Sequence, residues 1–438
     1  MGNQIRVLDL RGQSLTAAQV RSLIPRASLD IAQAAEQIKP LIQSIAVDGL
    51  PAILEASLRF DGFNPEPLLV SKAEISAAVD SIDPALRKSI EESIARVTAV
   101  SLATMPTDAD VHVAPGANVR QRWQPIESVG LYVPGGRAVY PSSVIMNVVP
   151  ALVAGVNRLV VATPGQKDYD GRPHPTVLAT AGILGVENIL NVGGPAAIAA
   201  FAFGIPQIGF SSVDMVTGPG NIFVAAAKRI LRGTIGIDSE AGTTEILVIA
   251  DSTANAKFIA NDLVSQAEHD DAAASVLVTD SKELIDAVQT ELAELIAKTH
   301  HSQRVQNALS GQQSALVLVD DLNKAIQLTN AYATEHLEIM TADNDLVLKQ
   351  VINAGAIFMG SYSPVSLGDY MAGSNHVLPT GSTARFNAGL GVSTFLRAQQ
   401  IISYDRAGLA EISDQIDVFA KAEGLPAHGD AVKSRFTN

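Results

Sequence analysis

The sequence contains no cysteine, which excludes disulfides, thiolate-bound metals, iron–sulfur clusters and a cysteine nucleophile. Aromatic residues are scarce at 5%, with a single tryptophan, so Ala, Val, Ile and Leu must build the interior. Positive charge is in deficit: 31 Lys and Arg stand against 45 Asp and Glu, a net charge of −14. A protein that neutralises nucleic-acid phosphates needs the opposite balance. Long apolar runs are missing as well. The richest stretch, Val144 to Ala162, is broken by Asn147, Pro150, Asn157 and Arg158, far short of the roughly 20 clean residues of a membrane span. Arg6, Asp9 and Arg11 interrupt any signal-peptide core, and Arg6 stands where a myristoylation signal wants Ser or Thr. The expectation is a soluble, cytoplasmic protein with no nucleic-acid or membrane partner. What is present is 438 residues, 47% hydrophobic and 17% charged, enough for two or three domains with a sizeable core.

Two regions read as alternating strands and helices, the mark of βαβ crossovers and a parallel sheet. From Ser128 to Ala250 the strand runs are SVGLYV, RLVVAT, ENILNVGG, QIGF, TIGID and TEILVIA, separated by helical stretches such as NIFVAAAKRILRG. The pattern restarts after Asp251 with SVLVTD, SALVLVD, LEIMT and AIFMGSY. The units are alike in style, without a residue-level repeat. The first hundred residues are mostly helical and are placed with the second unit. The tail from Gly389 reads as helices carrying an apolar stripe of Leu409, Ile412, Ile416, Phe419 and Ala420.

No Walker A sequence occurs, and no G-x-G-x-x-G follows a strand. The stronger glycine turns are YVPGG (Tyr132 to Gly136) and TGPGN (Thr217 to Asn221). Each lies between a strand and a helix, where backbone N–H groups and the helix dipole favour an anion. Ordinary βα-turn chemistry explains each turn as well as a ligand does; their shared sheet edge favours the ligand. Among eight histidines, His112, His174, His300 and His301 lack neighbours that suggest chemistry. Gln266 and His269 are three apart on a predicted helix and share a face. Glu335 and His336 precede a predicted strand, a placement suited to acid–base work. Asp369 and His376 lie in a predicted loop, and Glu423 and His428 face each other across a turn. Each pairing taken singly also has a bland reading as a cap or a surface pair. Two imidazoles, a carboxylate and an amide oxygen would suit zinc better than magnesium, but spacing does not gather them. From the residues alone the chain is an α/β enzyme with a candidate nucleotide edge and a candidate metal set.

Seven blocks together resemble the histidinol dehydrogenase family: GLYVPGGRAVYPSSVIMNVVPA, TGPGN, IDSEAGTTEILVIAD, DLVSQAEHD, ATEHLEI, GDYMAGSNHVLPT and AEGLPAHGDAV. They stand in the family's order and span nearly the whole chain. The resemblance implies oxidation of L-histidinol to L-histidine through the aldehyde, with two NAD⁺. It implies one Zn²⁺ per subunit held by Gln266, His269, Asp369 and His428, with the substrate's imidazole and amine completing the shell. Glu335 and His336 match the family's acid–base pair. Thr244, Gln266, His269, His336, Asp369, Glu423 and His428 match its substrate contacts, and Tyr132 and Asn221 its NAD contacts. It also implies a homodimer in which an exchanged C-terminal segment carries His428 into the partner's site.

The expected fold class is α/β, two Rossmann-like parallel-sheet units plus small helical N- and C-terminal segments. The expected division is an N-terminal segment (1–30), an NAD-binding unit (132–250), a metal and substrate unit (31–131 with 251–388) and a C-terminal helical segment (389–438). Two positions depart from the family pattern. Ala196, in GGPA, stands where an NAD-contacting Gln is usual, and Thr244, in GTTE, stands in place of a substrate-contacting Ser but keeps the hydroxyl. Three rival readings are a zinc hydrolase or aldolase on the same ligands, a two-lobed binding protein and an inactive relative.

Overall fold

The computed structural model describes residues 5–26, 31–135, 139–240 and 242–437. Gly136, the last residue of the YVPGG turn, lies outside the described residues. In chain order the strands are β1 (Val7–Asp9), β2 (Ala109–Ala114), β3 (Ala117–Pro125), β4 (Ser128–Tyr132), β5 (Arg158–Thr163), β6 (Ile189–Asn191), β7 (Met215–Thr217), β8 (Gly236–Ile237), β9 (Glu245–Ala250), β10 (Ala274–Thr279), β11 (Ala315–Leu318), β12 (His336–Met340), β13 (Ala356–Met359) and β14 (Leu396–Tyr404).

Two of the three sheets are parallel, as the βαβ pattern predicts. One runs β6-β5-β4-β7-β8 and the other β1-β11-β10-β9-β12-β13. Each begins near its middle, adds two strands on one side, then returns to add two on the other. The two units thus share a strand order that no residue repeat reveals, and each has a switch point, between β4 and β7 and between β9 and β12. Strands such as β9 and β10 are buried along their whole length, the state of a parallel strand covered by helices on both faces.

The structure corrects four expectations. TEILVIA forms β9 in the middle of the six-stranded sheet, not the end of the first unit. The chain leaves the first sheet after the two-residue β8, and an apolar run as continuous as EILVIA suits a central position. QIGF is not a strand; Pro206–Ile208 is a 3₁₀ turn and the strand falls at Met215–Thr217. The helices from Ile31 to Ala103 join the first unit rather than the second, whereas helix Ala17–Leu23 packs on the six-stranded unit through Val20. Ala34, Ile38, Ile42 and Ile45 of helix Ile31–Asp48 share a core with the Ala-rich helix Gly194–Phe203, and helix Pro84–Ala103 meets helix Pro141–Ala154. An amphipathic stripe shows that a helix packs, not against which sheet. Finally, the tail is not all helical: β14 pairs antiparallel with β3 over nine residues. The N-terminal segment likewise contributes an edge strand, β1, beside β11. Among the described residues no helix is long and apolar enough to cross a membrane.

Candidate active site

In a parallel unit the helices run back against the strands, so helix ends and strand starts meet at the amino edge of the sheet. In the six-stranded sheet that edge holds Glu245 at the start of β9, His336 at the start of β12 with Glu335 just before it, and Gln266 in the last turn of helix Ala256–Ala267. Asp369 joins them near the end of helix Val365–Tyr370, a helix where a loop was expected. His269 lies just beyond the helix rather than on it, its N–H donating to Gln266 O at 3.3 Å. Ligand sites in open α/β sheets usually lie at the strands' carboxyl ends; this cluster occupies the opposite edge.

Hydrogen bonds order the cluster. The Thr244 hydroxyl donates to Glu335 Oε2 at 2.7 Å, and Gln266 Nε2 donates to Thr244 Oγ1 at 2.5 Å. Because a carboxylate can only accept, the hydroxyl proton goes to Glu335 and the Gln266 NH₂ must face Thr244. Gln266 Oε1 is thereby left buried and without a hydrogen-bond partner. An amide oxygen in that state fits a cation ligand, since an unpaired buried polar atom is otherwise costly.

His336 Nδ1 lies 3.1 Å from Glu245 O and 3.4 Å from Glu335 Oε2. Both are acceptors, so Nδ1 carries a proton and Nε2 is the nitrogen free to exchange one. Burial alone would hold this ring below its ordinary value, but Glu335, helped by Asp369, lifts it to about 9. In the chain by itself the ring is therefore held above the neutral range. His376, which sequence reading set beside Asp369, bridges the two units: Nε2 lies 3.3 Å from Ser143 Oγ, and Nδ1 lies 3.8 Å from Asp369 Oδ1.

At the carboxyl edge of the five-stranded sheet, the two glycine turns follow the neighbouring strands β4 and β7, on the same edge as expected. Tyr132 is buried there, its hydroxyl accepting from Gly194 N at 3.0 Å. Asn221 caps helix Ile222–Leu231, accepting from Phe223 N and Val224 N. The chain leaves this carboxyl edge at Asp238 and enters the amino edge of the other sheet at Thr244, six residues on. His376, between Ser143 and Asp369, is where the two units meet beside the site.

Glu423 and His428 lie elsewhere. Glu423 ends helix Arg406–Ala422 and His428 sits exposed on helix Pro426–Lys433. The two helices are clamped by Asp417, which meets Lys421 and Lys433 at 2.7 Å each. Gly429 permits the close approach, for a Cβ there would come within 2.5 Å of the Asp417 carboxylate. Val418 and Phe419 beside them are 67% and 72% exposed. The apolar stripe predicted for this helix is therefore only partly covered. Among the described residues no three His, Asp or Glu side chains of one chain gather into a metal-holding group. Thr244, Gln266, Glu335, His336 and Asp369 are brought together; Glu423 and His428 are not.

Sequence reading missed the supports. Arg26 pairs with Glu245 through two contacts, at 2.5 and 3.2 Å. Glu338, two residues along β12 from His336, accepts from Val365 N at 3.0 Å through Oε1. Its Oε2 is buried without a hydrogen-bond partner, and its carboxyl group meets that of Asp262, a contact that holds only if one of the two keeps its proton. Burial raises both, Asp262 to about 6 and Glu338 well above its ordinary value, with the Asp262 charge adding to the second rise. Acidic residues inside apolar runs, as in HLEIM and TEILVIA, were the available signal.

Comparison with known proteins gives a consistent result. The family model for histidinol dehydrogenase matches residues 24–436. The histidinol dehydrogenase of Leifsonia xyli subsp. xyli is 52% identical over 432 residues, covering 99% of both chains. That of Corynebacterium glutamicum is 50% identical over 434 residues, covering 99% of this chain and 98% of its own. The crystal structure of histidinol dehydrogenase from Elizabethkingia anophelis superposes with a TM-score of 0.91 at 29% identity, covering 100% of this chain and 98% of its own.

Proposed function

As the chain belongs to the histidinol dehydrogenase family, we propose that it oxidises L-histidinol to L-histidine through L-histidinaldehyde, a step of histidine biosynthesis, with two NAD⁺ as hydride acceptors. The observation that carries this reading is the chain Gln266–Thr244–Glu335–His336, an acid–base pair joined to an amide oxygen left free for a cation.

Gln266, His269 and Asp369 would hold one Zn²⁺ per site together with His428 of a second copy, a nitrogen and oxygen set that suits this ion. When bound, it would polarise the substrate hydroxyl and offset the charge of an alkoxide. Thr244 and Glu423 complete the substrate contacts, while Tyr132 and Asn221 contact NAD. His336, in the form whose Nε2 has lost its proton, takes the hydroxyl proton there as hydride leaves the carbinol carbon for NAD⁺, giving aldehyde, NADH and one proton. Glu335 then removes a proton from the water that adds to the aldehyde, using Oε1, which none of its hydrogen bonds engages. The resulting diol loses a second hydride to a second NAD⁺, giving carboxylate, NADH and two more protons.

The test is NADH formation, followed by absorbance, on adding L-histidinol and NAD⁺. An amino alcohol lacking the imidazole should give at least about 100-fold less, since the site's polar groups are then left unpaired. Equal rates would refute the substrate assignment, and Glu335→Gln losing both half-reactions equally would refute the division of labour. The exposed Val418, Phe419 and Leu425 support a C-terminal exchange between two copies. Mixing inactive His428→Ala with inactive His269→Ala protein should restore partial activity. No recovery after demonstrated subunit exchange would place the whole site within one chain.

A further inference from the structure

Lys228 and Asp238 are buried charged residues that take no part in the acid–base cluster. Lys228 projects from helix Ile222–Leu231, which begins at the TGPGN turn, and its side chain is 2% exposed. Its Nζ donates to Gly218 O at 2.5 Å and to Asp238 Oδ1 at 2.6 Å. The other carboxylate oxygen, Asp238 Oδ2, accepts from Gly218 N at 2.9 Å. One ion pair therefore holds both the N–H and the C=O of a single glycine. That glycine has little freedom left: its φ is +116°, and a Cβ would come within 2.1 Å of Tyr132 O. The TGPGN turn is pressed against the end of β4, where the other glycine turn begins.

A buried ion pair is often no more stabilising than apolar side chains filling the same space, so stability alone does not account for this one. We propose that Lys228 and Asp238 are a positioning pair that sets the TGPGN turn for the pyrophosphate of a dinucleotide. The proposal rests on the NAD reading given above. The pair acts in two ways. It fixes the two peptide planes that meet at Gly218, just ahead of Pro219 and the N–H groups of Gly220 and Asn221. It also cancels the Asp238 charge, which lies beneath the turn and would otherwise repel an anion. Asp238 is, besides, the last residue of the first unit before the passage to Thr244, so the same pair anchors the dinucleotide edge to the chain that reaches Glu335.

The experiment uses the full-length, zinc-loaded protein and compares Lys228→Met, isosteric Asp238→Asn and the double variant. NADH affinity is read by fluorescence, and KM for NAD⁺ and for L-histidinol by steady-state kinetics. Lys228→Met should weaken NADH binding at least about tenfold, the lower range for a lost charge-assisted hydrogen bond. The double variant should lose less than Lys228→Met, because it leaves no bare carboxylate under the turn. In all three, KM for NAD⁺ should rise by a larger factor than kcat falls, with KM for L-histidinol within about twofold. If Lys228→Met does not fold, Asp238→Asn and the double variant, with folding checked by circular dichroism, decide the matter. Unchanged NADH affinity in a folded variant, or an equal loss for both substrates, overturns the proposal. A wild-type chain that binds no NADH overturns the NAD reading instead.

Discussion

Glu245 and Glu335 hold each other: the backbone N–H of each donates to the carboxylate of the other, at 2.9 Å onto Glu335 and 3.1 Å onto Glu245. Two buried carboxylates this close require a counter-charge, and Arg26 supplies it, its guanidinium lying 3.2 Å over the Tyr332 ring. Arg26→Met should therefore destabilise the fold by about 3–5 kcal/mol, the cost of leaving a buried charge unpaired. Urea denaturation measures it, and a loss under about 1 kcal/mol would show that Glu245 is not held as a charge.

Thr244 is the middle member of the hydrogen-bonded chain. Thr244→Val keeps the shape but leaves Gln266 Nε2 and Glu335 Oε2 each short of a partner. The expected fall in kcat/KM is about 10–100-fold, with Thr244→Ser nearer the parent. A Val variant as active as the Ser variant would remove Thr244 from the site.

In the metal-free protein the His336 ring should titrate at about 9, and NMR can follow it directly. Burial lowers that value and the Glu335 carboxylate raises it, so Glu335→Gln should move the midpoint down. A wild-type midpoint near the unperturbed value of about 6.5, or no shift in the variant, would contradict the assigned contact.

The Asp262–Glu338 pair predicts a pH-dependent stability. Both carboxyls hold protons in the fold that the unfolded chain gives up, so their contribution is present at low pH and lost as pH rises through Asp262's value of about 6 and beyond. Glu338→Gln removes one of these protons. Its Tm relative to wild type should rise between about pH 5 and about pH 8. A constant difference would show that the pair shares no proton.

The two parallel units were legible because EILVIA, ASVLVT and their like are continuous apolar runs between helical stretches. The Glu335–His336 pair at β12 and the glycine turns at β4 and β7 followed from their places beside those runs. What stayed hidden were relationships between elements. The sheet to which β9 belongs depends on a passage of six residues whose direction has no signature. Arg26 and Glu245 are 219 residues apart, and no local pattern links them. Strand β14 escaped because its residues are largely exposed, so it lacks the alternation by which a half-buried strand is read.

Under the proposed function, Glu335 and His336 act beside one cation in a site completed by a second copy. Zinc content, with the ratio of NADH formed to L-histidinol consumed, should be measured before and after chelation. One Zn²⁺ per chain, two NADH per L-histidinol, loss of both on chelation and return with Zn²⁺ are the results expected. Undiminished NADH formation in the zinc-free protein would contradict it.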